Sequence, residues 1–186
     1  MPTPEELIAL GYMARQERRT ERASQTFSEA VRLSRKAADP SLLASSLIGL
    51  GQTERDLNNN HAALQHYREA VDLLRTEPNR LRLAHTIRHL ADILREDGSS
   101  KEATICYEEA LKVYREDIKT PPLDLANTLR GFALLKGNAG ETENAKSLWQ
   151  EARSLYKSVN VQAGVEESER QIARLTASRL PSGGVQ

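Results

Sequence analysis

The chain contains a single cysteine, Cys106, in 186 residues. An internal disulfide is excluded, and a reducing, cytoplasmic setting is expected. Aromatic side chains are scarce at 4%, so each one present occupies a position worth asking about. Net charge is absent, because 26 Lys and Arg are matched by 26 Asp and Glu. That balance gives no support to a nucleic acid or other polyanion held by bulk charge. No stretch approaches the roughly 20 apolar residues that a membrane span requires. The opening "MPTPEELIALGYMARQERR" has no basic start followed by an apolar run, so no secretion signal is expected.

What is abundant is Ala, Leu, Glu and Arg, which lose little rotamer freedom in helices. They are arranged in a repeat. "ASQTFSEAVRLS" begins at Ala23, "ALQHYREAVDLL" at Ala63, "ATICYEEALKVY" at Ala103 and "AKSLWQEARSLY" at Ala145. The first alanine is followed four residues on by a ring: Phe27, Tyr67, Tyr107 or Trp149. Glu29, Glu69, Glu109 and Glu151 come next, each followed by Ala30, Ala70, Ala110 or Ala152. Leu33, Leu73, Val113 and Leu155 complete one stripe of a helix.

A second helical pattern lies upstream of each phrase. Its apolar column is Leu7, Leu47, Ile87 and Leu129, then Leu10, Leu50, Leu90 and Phe132, then the small Gly11, Gly51, Ala91 and Ala133. Turn-prone "DLNNN", "REDGSS" and "KGNAGET" separate the two helices. Thr20, Asn60, Ser100 and Thr142 are placed as N-caps of the second helices. Thr3 and Glu6 can close a capping box on the first helix, and prolines sit where helices restart. Each unit is therefore helix, turn, helix. Gly11 is expected to face Ala23, with the ring beside the contact. One hairpin cannot bury its stripe alone, so hairpins must stack. A plain helix bundle would not need small residues in phase every 40 positions.

These columns resemble the tetratricopeptide repeat: a large apolar residue, Leu-Gly three residues on, then Ala, aromatic and Ala. The resemblance covers roughly residues 3–158. The aromatic usual later in the first helix is replaced by Ala14, Glu54, Leu94 and Lys136, and the closing proline by Arg35, Arg75, Arg115 and Lys157. With its 40–42-residue spacing the chain looks most like the longer repeats of kinesin light chains and of many bacterial regulators. The resemblance implies an all-α solenoid of four antiparallel hairpins, a superhelix, plus a C-terminal capping helix. We expect one domain over 3–178, with repeats at about 3–38, 39–78, 79–118 and 119–158. A cap at about 161–177 and a flexible tail at 179–186 follow.

The resemblance further implies a non-catalytic protein- or peptide-binding adaptor whose ligand lies in a groove lined by the first helices. By register the groove residues are Ile8, Tyr12 and Arg15; Ser45, Ile48, Gln52 and Arg55; His85, Arg88, Asp92 and Arg95; and Asn127, Arg130 and Leu134. Arg15, Arg55 and Arg95 share a column. A guanidinium fork suits carboxylates, so an acidic segment or a free C-terminal carboxylate is the expected ligand. The same arginines can instead pair with Asp56, Asp92 and Glu96. Chaperone-tail binding is not expected, because Ile8, Tyr12, Ile48 and Gln52 stand where such domains hold lysine and asparagine.

Other chemistry is weakly supported. His85 and His89 are four apart with Asp92 nearby, but no further ligand cluster accompanies them, so they are expected to be polar groove residues and no metal is expected. His61 and His66 read as surface residues, and Cys106 as a buried thiol. No nucleophile–base pair is evident, so neither enzyme activity nor a cofactor is expected. Two other functions stay open. The array could form a homodimer through the outer face of "EELIALGYMARQ". It could also sense a signal peptide, as in bacterial regulators that join such repeats to an output domain.

Overall fold

The structure is a computed structural model that describes residues 2–177; the tail expected at 179–186 lies outside the described residues. It holds nine α-helices and no strand among the described residues. They are α1 (Pro4–Gln16), α2 (Thr20–Ala37), α3 (Pro40–Asp56), α4 (Asn60–Leu74), α5 (Arg80–Glu96), α6 (Ser100–Glu116), α7 (Pro122–Asn138), α8 (Thr142–Ser158) and α9 (Gln162–Ala177). The helices group into two compact units, Met1–Ser99 and Ser100–Gln186. In the first, α1 to α5 pack in chain order, and α1 also packs on α3. In the second, α7 packs on α6 and α8, and α9 on α8.

The repeat is written in the backbone as well as in the side chains. Arg18, Asn58, Gly98 and Gly140 all adopt positive φ, at 58°, 62°, 82° and 77°. They follow helices α1, α3, α5 and α7. Around each, the chain closes the helix with two backbone bonds, as in Arg18 N–H to Arg15 C=O at 3.0 Å and Arg19 N–H to Ala14 C=O at 2.9 Å. This is the left-handed closure that satisfies the orphan carbonyls of a helix end.

That closure corrects the expected caps. Thr20, Asn60 and Thr142 are the first helical residues, and the flanking positions are Arg19, Asn59 and Glu141, none with a side-chain capping bond. Ser100 likewise opens α6. The residue after the left-handed one already lends its carbonyl to the next helix: Arg19, Asn59 and Glu141 accept from Ala23, Ala63 and Ala145 at 2.9, 3.0 and 2.9 Å. Thr3 and Glu6 do form the expected capping box, at 2.8 and 3.3 Å. Asp39 caps α3 through Leu42 N–H at 2.9 Å.

In the first two repeats the small column lies against rings, and in the fourth Ala133 packs in one cluster with Ala145 and Trp149. A Cβ at Gly11 would stand 2.7 Å from Phe27, and one at Gly49 would collide with the same ring. Phe27 is thus fully buried between the backbones of α1 and α3. Gly51 holds the equivalent place against Tyr67, at 2.9 Å. The glutamate column also gains a reason. Arg35 donates to Glu69 at 2.7 Å in the first unit, and Arg115 to Glu151 at 2.7 Å in the second. Arg35, Arg115 and Lys157 lie inside lengthened second helices, whereas α4 ends just before Arg75.

Candidate functional site

Helices α1, α3 and α5 bring three of the expected groove residues to one cleft in the first unit. It has a volume of about 450 Å³ and is lined by Arg15, Gln52, Arg55, Asp56, Asn58, Asn60, His89 and Glu96. The wall is made of paired charges. Arg15 donates through Nε to Asp56 at 2.5 Å and through Nη1 to Gln52 at 2.9 Å. Arg55 donates to both Glu96 oxygens at 3.2 Å, and Arg95 donates to Glu96 at 3.0 Å. The arginine column is therefore a ladder of ion pairs. Pairs this exposed contribute little stability, about 0–1 kcal/mol.

The other expected residues of this unit have structural partners. Ile8 and Tyr12 pack on the cluster of Ala14, Ala23, Phe27 and Leu50. Tyr12 meets Phe27 edge-on, with centroids 5.0 Å apart. Ile48 is 8% exposed and belongs to the core. Ser45 donates to Ser41 C=O at 2.9 Å and accepts from Arg82 at 2.7 Å. Arg88 pairs with Asp92 at 3.1 Å. Asn127, Arg130 and Leu134 lie on α7 in the second unit. There Asn127 accepts from the Tyr156 hydroxyl at 2.8 Å and Arg130 forks onto Glu167 at 2.7 and 2.8 Å. Leu134 packs beside Trp149.

The structure places His89, one of the two histidines read as polar groove residues, in the cleft wall. Its register column reads Ala9, Gly49, His89, Gly131, with one large side chain among small ones. The His89 ring stacks on Tyr67, centroids 5.6 Å apart and planes at 24°. Burial and then the charges of Arg88, His85, Arg55 and Arg15 hold His89 well below the usual histidine range. Burial raises the Tyr67 hydroxyl, against the opposing pull of Arg55, Arg88 and Arg15. His85 and His89 approach through their Nε2 atoms at 3.2 Å. No cluster of three or more metal-ligating residues occurs among the described residues. His66 is half-buried and Cys106 intermediate in exposure, where a surface histidine and a buried thiol were expected. Among the described residues no helix is long and apolar enough to cross a membrane.

Comparison with known proteins converges on one family. The tetratricopeptide repeat family matches residues 6–76 and again 83–116. No curated protein sequence matches the chain. Among solved structures, the chain resembles BtubC (BKLC) from P. vanneervenii with a TM-score of 0.70 at 15% identity, covering 98% of this chain and 83% of that one. It also resembles a Signal Transduction ATPase with Numerous Domains that carries a tetratricopeptide repeat sensor, from Pyrococcus horikoshii. That match has a TM-score of 0.84 at 15% identity over 95% of this chain, but spans only 27% of that protein. Both likenesses describe the fold, an all-α helical-repeat solenoid.

Proposed function

The chain belongs to the tetratricopeptide repeat family, whose repeats mediate protein–protein interaction, and from that premise we propose that its first unit binds an extended, acidic segment of a partner protein. The observation that carries this reading is the convergence of Arg15, Gln52 and Arg55 on one cleft. Each guanidinium there is held by a solvent-reachable carboxylate. An arriving acidic side chain or C-terminal carboxylate exchanges with Asp56 or Glu96 at little net cost, because one charge-assisted bond replaces another. Register comes from the ladder, and Ile8 and Tyr12 offer the apolar contact beside it. Family members are typically non-catalytic adaptors, and the cleft holds no nucleophile–base pair. The test is fluorescence polarisation with labelled acidic and neutral peptides. Acidic peptides should bind, and Arg55→Gln/Arg95→Gln should weaken them at least tenfold with helicity intact. Equal binding to the double variant would overturn the reading.

A second reading has its own observation. Leu10 and Met13 are 46% and 56% exposed. With Leu7 and Ala14 they border a shallow groove rimmed by Glu17, Arg19 and Arg22. We propose that this face of α1 can pair with a second copy. Light scattering over a concentration series tests it, and a strict monomer at every concentration removes it.

A further inference from the structure

Helix α9 keeps the register of the repeat but only half of its contacts. Ser46, Thr86, Thr128 and Ser168 are fully buried, and their hydroxyls donate to the carbonyl four residues back at 2.8, 2.9, 2.7 and 2.7 Å. That column aligns Ser168 with Thr128, so Glu169, Ile172 and Ala173 take the positions of Leu129, Phe132 and Ala133. These positions face the second helix of their own hairpin: Gly51 lies against Tyr67, and Ala133 clusters with Ala145 and Trp149. On α3, α5 and α7 all three positions are buried. On α9, Glu169 and Ala173 are exposed and Ile172 is half-buried.

The second helices end on the same open side. Arg35, Arg115 and Lys157 share one column. Arg35 donates to Glu69 and Arg115 to Glu151, each at 2.7 Å, so each closes on the glutamate of the next second helix. Lys157 is exposed and forms no ion pair among the described residues. Beside it, α8 and α9 border a cleft of about 550 Å³ whose lining includes Arg153, Lys157, Val161, Val165 and Glu169. Val161 and Val165 are half-buried there, and Arg153 comes only within 3.8 Å of Glu169. An apolar floor with a charged rim suits reversible docking of a helix. A cap that had only to face water would carry polar residues in place of the valines and Ile172.

We propose that this cleft of the second unit binds an amphipathic helix of a partner protein, in the place that a fifth second helix would take. A small-and-aromatic stripe of that helix covers Val165, Ile172 and Ala173, and a glutamate on it pairs with Lys157 as Glu69 pairs with Arg35. The chain itself specifies this chemistry, because Ala, ring, Glu and Ala recur on the second helix of each repeat. The surface lies on different helices from the arginine ladder and does not depend on the acidic-segment reading.

The probe is a labelled peptide of residues 60–75, which carries the α4 stripe and Glu69. A staple between positions 68 and 72, both exposed in α4, holds it helical, because so short a helix is marginal alone. Methyl spectra of the full chain should show saturable shifts at Val161, Val165 and Ile172. Lys157→Glu should weaken the peptide at least about fivefold, and the peptide carrying Glu69→Lys should restore binding to that variant. Lys157 is exposed, so the variant should keep its helicity. Arg55→Gln/Arg95→Gln should bind the peptide as wild type does, which separates this surface from the cleft of the first unit. Shifts at Leu10 and Met13 instead, or equal binding of both peptides to wild type and Lys157→Glu, would overturn the proposal. So would shifts of Val161, Val165 and Ile172 that grow with protein concentration alone, because a second copy would then cover the cleft.

Discussion

Tyr67 stacks on His89 at the register position where Phe27 meets Gly49. The same architecture thus builds two different neighbourhoods 40 residues apart. One is a ring between two backbones, and the other is an aromatic stacked on a histidine that lines a cleft.

The neighbourhood of Phe27 makes a sharp prediction. Gly49→Ala would press a methyl into Phe27, which has backbone on both sides and cannot retreat. Overpacking of this kind costs roughly 1–3 kcal/mol, more than the roughly 1 kcal/mol of helix propensity that alanine brings. Gly137→Ala is the contrast, because its Cβ would meet only Ala145 and Leu175 at 3.8 and 4.0 Å. Urea unfolding should show the first variant less stable and the second slightly more so.

The hydroxyl of Tyr67 is fully buried without a hydrogen-bond partner. Such a group carries a desolvation cost of about 1–3 kcal/mol. Tyr67→Phe should therefore raise stability, by roughly 1 kcal/mol in denaturant melts. A loss of stability would mean that the hydroxyl is satisfied in solution.

Acid should weaken the fold through His89 and His66, both lowered chiefly by burial. A lowered histidine pKa means that the unfolded chain takes up its proton first, near pH 6.5. Stability is full above that pH and declines below it, by at most about 1.4 kcal/mol per pH unit for each group. His89→Gln should flatten the decline between pH 6.5 and 5 in melting curves. An unchanged slope would assign the effect elsewhere.

Glu96 serves both Arg55 and Arg95. Glu96→Gln leaves two guanidiniums with a weaker internal partner. Acidic peptides should then bind roughly three- to tenfold more tightly, since each charge-assisted bond regained is worth about a kcal/mol. Polarisation titrations against wild type decide this, and weaker binding would show that Glu96 itself contacts the ligand.

Arg18 holds φ at 58° where the third and fourth repeats place Gly98 and Gly140. A non-glycine residue there costs roughly 1–2 kcal/mol. Arg18→Gly should raise the melting temperature of the full chain, and a fall would reveal a contact of the Arg18 side chain.

Much of this was legible beforehand. The helices, their pairing, the buried alanine and ring columns, and the capping box at Thr3 follow from side chains three and four positions apart. That spacing is fixed within one helix turn. The N-cap positions were misread by one residue, because a left-handed closure at Arg18, Asn58, Gly98 and Gly140 consumes a position that side-chain chemistry does not advertise. That the Phe27 ring reaches over Gly11 is not legible in the sequence, since periodicity says which residues share a face and not how deep a ring reaches.

The sequence by itself determined where the rods begin, which stripe of each is buried, and that four units repeat the same phrase. Local helix geometry suffices for that, and no distant contact is needed. Only the tertiary structure decided that Arg15 finds Asp56, 41 residues away, that Arg55 and Arg95 share Glu96, and that His89 lies over Tyr67. An arginine or histidine on a polar face can pair with any acid or ring within reach. Which one it meets depends on how neighbouring helices slide and cross, and that is a property of packing rather than of spacing.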